Sequence, residues 1–251
     1  MPEAAGQMDW RRWLTAAGQA LLDLFYPPRC PGCGRVGALF CDACQSRIEA
    51  PPAPACPRCG HPAASESLCR TCQARHSNLD RIAASAIFTH PLRDAIHELK
   101  YNNGCGLARP LGARMATYWQ QHGFSADLIV PVPLHAGRLR ERGYNQSALL
   151  ARVVAQATGI PLDEKMVVRH KATQQQALLT AVERRANVKD AFASRGSATG
   201  LDIVLVDDVC TTGSTLEACA EALRAVGAAG VWAFTLARAR GDGDDKPEST
   251  R

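Results

Sequence analysis

Leu201–Glu217 reads LDIVLVDDVCTTGSTLE. Four apolar residues, Ile203 to Val206, have the pattern of a strand buried on both faces. Two carboxylates follow at once, Asp207 and Asp208. Then come Thr211, Thr212, Gly213, Ser214 and Thr215, small and hydroxylated around one glycine. Beyond them Leu216, Cys219, Ala220, Leu223 and Val226 keep a 3.6-residue period. Ser214 with Glu217 three residues on has the form of a capping box, which predicts a helix starting there. The order is therefore strand, acidic pair, short loop, helix N-terminus. Such an N-terminus offers free N–H groups and partial positive charge to a phosphate. The carboxylates just before it repel phosphate but suit vicinal hydroxyls or a hydrated Mg²⁺. Phosphate beside diol describes a ribose 5-phosphate.

The chain has 251 residues, enough for one ordinary domain and a small one. An apolar fraction of 46% supports a true core, and a formal charge of +5 permits an anionic partner without requiring one. No uncharged apolar window reaches the length of a membrane span, so no stable membrane insertion is expected. Met1 to Trp10 is not basic, and no signal-peptide pattern follows. A cytoplasmic chain is the expectation. Eleven cysteines in a reduced compartment point to metal rather than disulfides.

From Met8 to Phe25 the apolar residues, Trp10 and Trp13 among them, fall on one helical face. Asp9 caps this predicted helix and Pro27-Pro28 stop it. Packing against the rest of the chain is the preferred role over a membrane-surface one. Four Cys-x-x-Cys pairs follow: Cys30/Cys33, Cys41/Cys44, Cys56/Cys59 and Cys69/Cys72. CPGCG and CPRCG are knuckles, with Gly34 and Gly60 free to take φ > 0. Eight thiolates suit two tetrahedral Zn²⁺ ions. Spacing assigns Cys30, Cys33, Cys41 and Cys44 to one and Cys56, Cys59, Cys69 and Cys72 to the other. An interleaved pairing and iron–sulfur ligation stay open at this point. Closed thiolate sets make these sites structural, with metal binding supplying much of the ribbons' folding energy, on the order of 10 kcal/mol per site. The expected divisions are residues 1–27, an amphipathic helix; 28–76, a double zinc ribbon; 77–240, the main α/β domain; and 241–251, GDGDDKPESTR, a disordered tail.

Arg81–Phe88 reads as a strand, Leu92–Leu99 as a helix ending in LKYNNG, and Leu107–Gln121 as another. Asp127–Val132 is a short strand. The loop after it carries Arg138, Arg140 and Arg142, then Tyr144, Asn145 and Gln146, before a helix over Ser147–Ala157. Planar guanidinium groups grip pyrophosphate oxygens in a bidentate manner. In an open α/β sheet this loop and the Asp207-Asp208 stretch share the rim at the carboxyl ends of the strands.

The strand, acidic pair and TTGST loop resemble the signature of type I phosphoribosyltransferases. The cysteine pairs, LKY, PVPLHxxRLRERGYNQ, TxxQxxL and ERRxNVxxAF resemble the ComF family, phosphoribosyltransferase-like proteins linked to natural competence. The resemblance extends from about Leu21 to Leu236. It implies a doubly wound parallel sheet and Mg²⁺-bound phosphoribosyl pyrophosphate (PRPP). The 5-phosphate would sit on Thr211–Thr215 and the ribose hydroxyls on Asp207 and Asp208, the proposed catalytic pair. Lys100, Tyr101, Arg138, Arg142, Asn145 and Gln146 are then pyrophosphate-side candidates. Lys171–Asn187 becomes a mobile lid carrying Gln176 and Arg184. The acceptor is unspecified, and the rival class is a non-catalytic protein that binds PRPP or single-stranded DNA alongside the competence machinery.

Overall fold

A computed structural model describes residues 27–101, 104–171 and 190–240. The N-terminal helix, the Asn102-Asn103 part of the turn, the lid with Gln176 and Arg184, and the tail lie outside these residues.

Two ribbons open the described chain on one plan. In the first, Cys30 N–H bonds to the Arg35 carbonyl and Gly34 N–H returns to the Cys30 carbonyl, both at 2.8 Å. In the second, Cys56 bonds to His61 and Gly60 returns to Cys56, again at 2.8 Å. Gly34 and Gly60 take φ of 72° and 67°, the left-handed turn that each knuckle needs. Short helices α1 (Asp42–Gln45) and α2 (Arg70–Gln73) carry the closing cysteines.

The main sheet has the order β1 (Ile82–Ala84), β6 (Gly230–Arg238), β5 (Asp202–Cys210), β2 (Leu128–Pro131), every pairing parallel. Helices α3 (Leu92–Tyr101), α4 (Ala108–Gln121) and α6 (Gln146–Thr158) bury their apolar stripes with Val204, Val206, Phe234 and Leu236. Helix α7 (Ser214–Arg224) buries Leu216, Cys219, Ala220 and Leu223 against Ile203, Leu205, Val231 and Ala233. Alternate residues of β5 and β6 therefore face different helix layers. This is the doubly wound sheet that the unbroken apolar run implies. Phe40, Cys30, Cys41 and Cys44 of the first ribbon join the α3–α4–α6 core.

Five expectations need revision. Strand β5 does not stop at Val206 but runs to Cys210, so the acidic pair lies on the strand itself. Helix α7 has Gly213, not Ser214, as its N-cap, with φ 77° and no side-chain cap. Glu217 instead accepts hydrogen bonds from the Ser77 hydroxyl (2.8 Å), the Asn78 N–H (2.5 Å) and Asn78 Nδ2 (3.2 Å). Three tertiary donors outcompete one local N–H. The span read as a strand over residues 81–88 pairs as β1 only over Ile82–Ala84, with one further bridge from Ile87 to Arg238. The arginine loop contains a helix, α5 (Ala136–Arg142), capped by His135 and ended by left-handed Gly143. Finally, β3 (Val167–Arg169) pairs antiparallel with β4 (Phe192–Ser194), a three-residue strand with no periodic pattern of its own.

Candidate functional site

A cleft of about 400 Å³ opens over the carboxyl ends of β2 and β5. Asp207, Asp208 and Thr211–Thr215 line it together with Arg138, Arg142, Gln146, Lys100 and Tyr101. The two halves foreseen as facing each other thus share one cavity.

Successive strand residues point to opposite faces, so the two carboxylates diverge. Asp208, 4% exposed, meets the Lys100 ammonium at 2.6 Å through Oδ2, and its Oδ1 accepts from the Val209 N–H at 2.9 Å. Asp207 accepts the Ser147 hydroxyl at 2.7 Å and the Asp208 N–H at 2.9 Å, both on Oδ1. Burial and the neighbouring Asp208 charge push the Asp207 carboxyl up to about 7, against the pull of Ser147 and Lys100. Burial disfavours the Lys100 ammonium, but Asp208, with help from Asp207, holds its pKa above the ordinary lysine value.

Helix α7 begins at the floor of the cleft. Its N-cap, Gly213, offers no side chain, and the Ser214 N–H lies 3.4 Å from Thr212 Oγ1; the positive end of the helix is of the kind that suits an anion. Gly213 supplies the left-handed turn into the helix, and Thr212 and Ser214 hydroxyls meet at 2.8 Å beside it.

Arg138 and Arg142 stand four residues apart on α5, hence on one face. Arg142 lies over the Tyr101 ring, 5.2 Å to its centroid, and donates to Gln146 Oε1. The Tyr144 hydroxyl donates to the Leu99 carbonyl at 2.6 Å. These contacts fasten the Lys100-bearing end of α3 to the arginine helix. Asn145 is engaged structurally: its Oδ1 caps Ser147 at 3.0 Å and its Nδ2 donates to the Val132 carbonyl at 2.9 Å.

Arg169, Ser147, Glu141 and Phe88 also line the cleft and were not foreseen. Arg169 ends β3 and lies over the Phe192 ring at 5.4 Å; burial first, then Arg138, lowers its pKa, while Asp207 opposes them. A single charge closing the apolar run Met166–Val168 was the available signal.

The cysteines form two groups, Cys30, Cys33, Cys41, Cys44 and Cys56, Cys59, Cys69, Cys72, each with its sulfurs within 4.8 Å of one another. The pairing is sequential rather than interleaved. A tetrahedral ion with Zn–S near 2.3 Å separates its sulfurs by about 3.8 Å. Cys33 and Cys41 sulfurs are 3.5 Å apart and those of Cys59 and Cys69 3.8 Å. In each group the third cysteine's N–H points to the first one's sulfur, at 3.5 and 3.4 Å. Both sets fit a structural zinc.

A family model described as a double zinc ribbon domain matches residues 21–73, and one described as a phosphoribosyl transferase domain matches residues 145–250. The DNA utilization protein YhgH of Salmonella typhimurium is 38% identical, the match covering 73% of this chain and 83% of that one. Competence protein F of Haemophilus influenzae is 33% identical, over 80% of this chain and 90% of its own. Among solved structures, the glutamine PRPP amidotransferase of B. subtilis is 22% identical, with a TM-score of 0.39. That match covers 55% of this chain and 30% of the amidotransferase.

Proposed function

The chain belongs to the ComF family, that of competence protein F and the DNA utilization protein YhgH, and from that premise we propose that its cleft binds Mg²⁺-PRPP. One observation carries the reading: the N-terminal turn of α7, a carboxylate with an uncommitted oxygen and two arginines line one cavity. The 5-phosphate takes the amides of Thr211–Thr215. Both hydrogen bonds accepted by Asp207 fall on Oδ1, which leaves Oδ2 for a ribose hydroxyl. Asp208 is committed to Lys100, so its part is to hold that ammonium in the cleft. Arg138 and Arg142 face the pyrophosphate, with Arg169 as a third cation on the same wall. Mg²⁺ would neutralise pyrophosphate charge, and Asp207 is the carboxylate best fitted to meet its hydration shell.

As an enzyme the protein would transfer the ribosyl C1 to an acceptor nucleophile, forming one bond as the C1–pyrophosphate bond breaks, through an oxocarbenium-like state. The clustered cations would stabilise the leaving group as its charge develops. The setting would be the cytoplasmic handling of imported DNA. A second reading, PRPP or single-stranded DNA binding without turnover, is favoured by the relatives' names, which speak of DNA use and competence rather than transfer. Calorimetric titration of Mg²⁺-PRPP into wild type and Asp207→Asn tests the site; no binding by wild type sinks it. Pyrophosphate release against a panel of bases, nucleosides and DNA separates the two readings.

A further inference from the structure

We propose that Ile82 is a positioning residue that couples the second cysteine site to the phosphate loop, so that the loop fits its ligand only while that metal site is closed. The inference rests on the reading of Thr211–Thr215 as the phosphate cradle.

The two residues flanking the ligand Cys59 hold Ile82 between them. The Arg58 carbonyl accepts the Ile82 N–H at 2.6 Å. Gly60, in its left-handed turn, comes so near that a Cβ there would stand 3.0 Å from the Ile82 carbonyl oxygen. The knuckle thus bonds the Ile82 N–H and packs close against its carbonyl. Its side chain continues the path: Ile82 Cδ1 lies 3.3 Å from where a Cβ on Gly213 would be. Gly213 is the left-handed residue that turns the phosphate loop into α7. The neighbours of Cys59, then Ile82, then Gly213 therefore form a path from the metal site to the phosphate cradle.

The surroundings focus this path. A groove of about 600 Å³ separates the ribbon from α7, with Arg58, Cys59 and Cys72 on one wall and Thr211–Ser214 on the other. Ile82 lines the same groove and bridges it. Arg58 braces the knuckle from within, donating to the Cys72 carbonyl at 2.7 Å and the Arg75 carbonyl at 3.2 Å. The geometry of the whole arm depends on the metal, because a small ribbon draws its folding energy from the ion. The first knuckle bears elsewhere: Gly32 abuts Pro91, just ahead of α3. Opening the second site removes the clasp on Ile82, and Gly213 loses the side chain that sets its position. A cradle that must reorder on binding gives up affinity.

Full-length wild type, Ile82→Ala and Cys59→Ser are each titrated with ribose 5-phosphate and with inorganic pyrophosphate. Amide exchange of residues 210–217 is followed in the same samples. Ile82→Ala should keep two zinc ions and bind ribose 5-phosphate about tenfold more weakly, with pyrophosphate binding unchanged. The Glu217 amide, which donates to the Gly213 carbonyl at 2.9 Å, should exchange faster. Cys59→Ser should lose one zinc and show the same pattern. Equal weakening of both ligands, or wild-type exchange at Glu217 in both variants, overturns the coupling. Should wild type bind neither ligand, the phosphate reading itself falls, and the exchange rates alone decide whether the path exists.

Discussion

The Lys100 ammonium lies 2.6 Å from Asp208 Oδ2, linking the end of one helix to the carboxyl end of a strand more than a hundred residues away. Asp208 is almost fully enclosed, so Lys100→Met leaves a buried carboxylate without its partner. The expected loss is about 3 kcal/mol in urea denaturation. The double variant Lys100→Met/Asp208→Asn should recover part of it, because no uncompensated charge remains. A double variant as unstable as the single would show that the pair is not what Lys100 contributes.

Asp207 gives a pH signature of opposite sign for folding and for binding. Its carboxyl rises from the ordinary 3.8 to about 7 in the folded chain, first through burial and then through Asp208. The folded state therefore holds the proton more tightly than the unfolded one. This residue's contribution to stability is greatest below pH 4 and is lost as pH climbs to 7. Ligand binding needs the carboxylate, so affinity for Mg²⁺-PRPP should climb through pH 7. Titrations from pH 5.5 to 8.5 should show that rise in wild type and a flatter profile in Asp207→Asn; parallel profiles would refute the assignment.

Asn145 is expected to matter for stability first. Replacing it with alanine removes the cap on Ser147 and the bond to Val132, a loss of about 1–2 kcal/mol. Asn145→Asp keeps an accepting oxygen and should recover roughly half of this in thermal melts. If both variants melt like wild type, the cap carries no weight.

Metal analysis should return two zinc ions per chain, and their loss should be unequal. Cys30, Cys41 and Cys44 sit in the main core with Phe40, whereas among the second set only Cys56 is buried. Cys44→Ser should therefore lower the melting temperature more than Cys72→Ser. The reverse order would place the structural weight on the wrong ribbon.

Much of the fold was legible because its signals are local. The β5–α7 stretch, the cysteine spacing and the apolar period of α3, α4 and α6 each sit within a short window. The partners of individual side chains were not. Ser214 and Glu217 have the form of a capping box, yet Glu217 turns to Ser77 and Asn78, about 140 residues away. Asp207 and Asp208 read as one acidic pair, but the pleat of β5 sends them to different helices. AGRLRER reads as a charged loop because its helix is only seven residues long and owes its ends to His135 and Gly143. Arg169 enters the cleft from β3, which is positioned by its antiparallel partner rather than by any pattern of its own.

The pairing of Ile82 with Ala233 sets an order of events during synthesis. Strand β1 emerges early, yet among the described residues its ladder partner is β6, the final strand. The ribbons close within spans of 15 and 17 residues, Cys30–Cys44 and Cys56–Cys72, and can take up metal while the ribosome is still at work. The sheet must wait: β1 stays unpaired until some 150 residues more have been made. The ribbons are thus fitted to fold first, holding the first strand at the head of an unfinished sheet until the last one arrives.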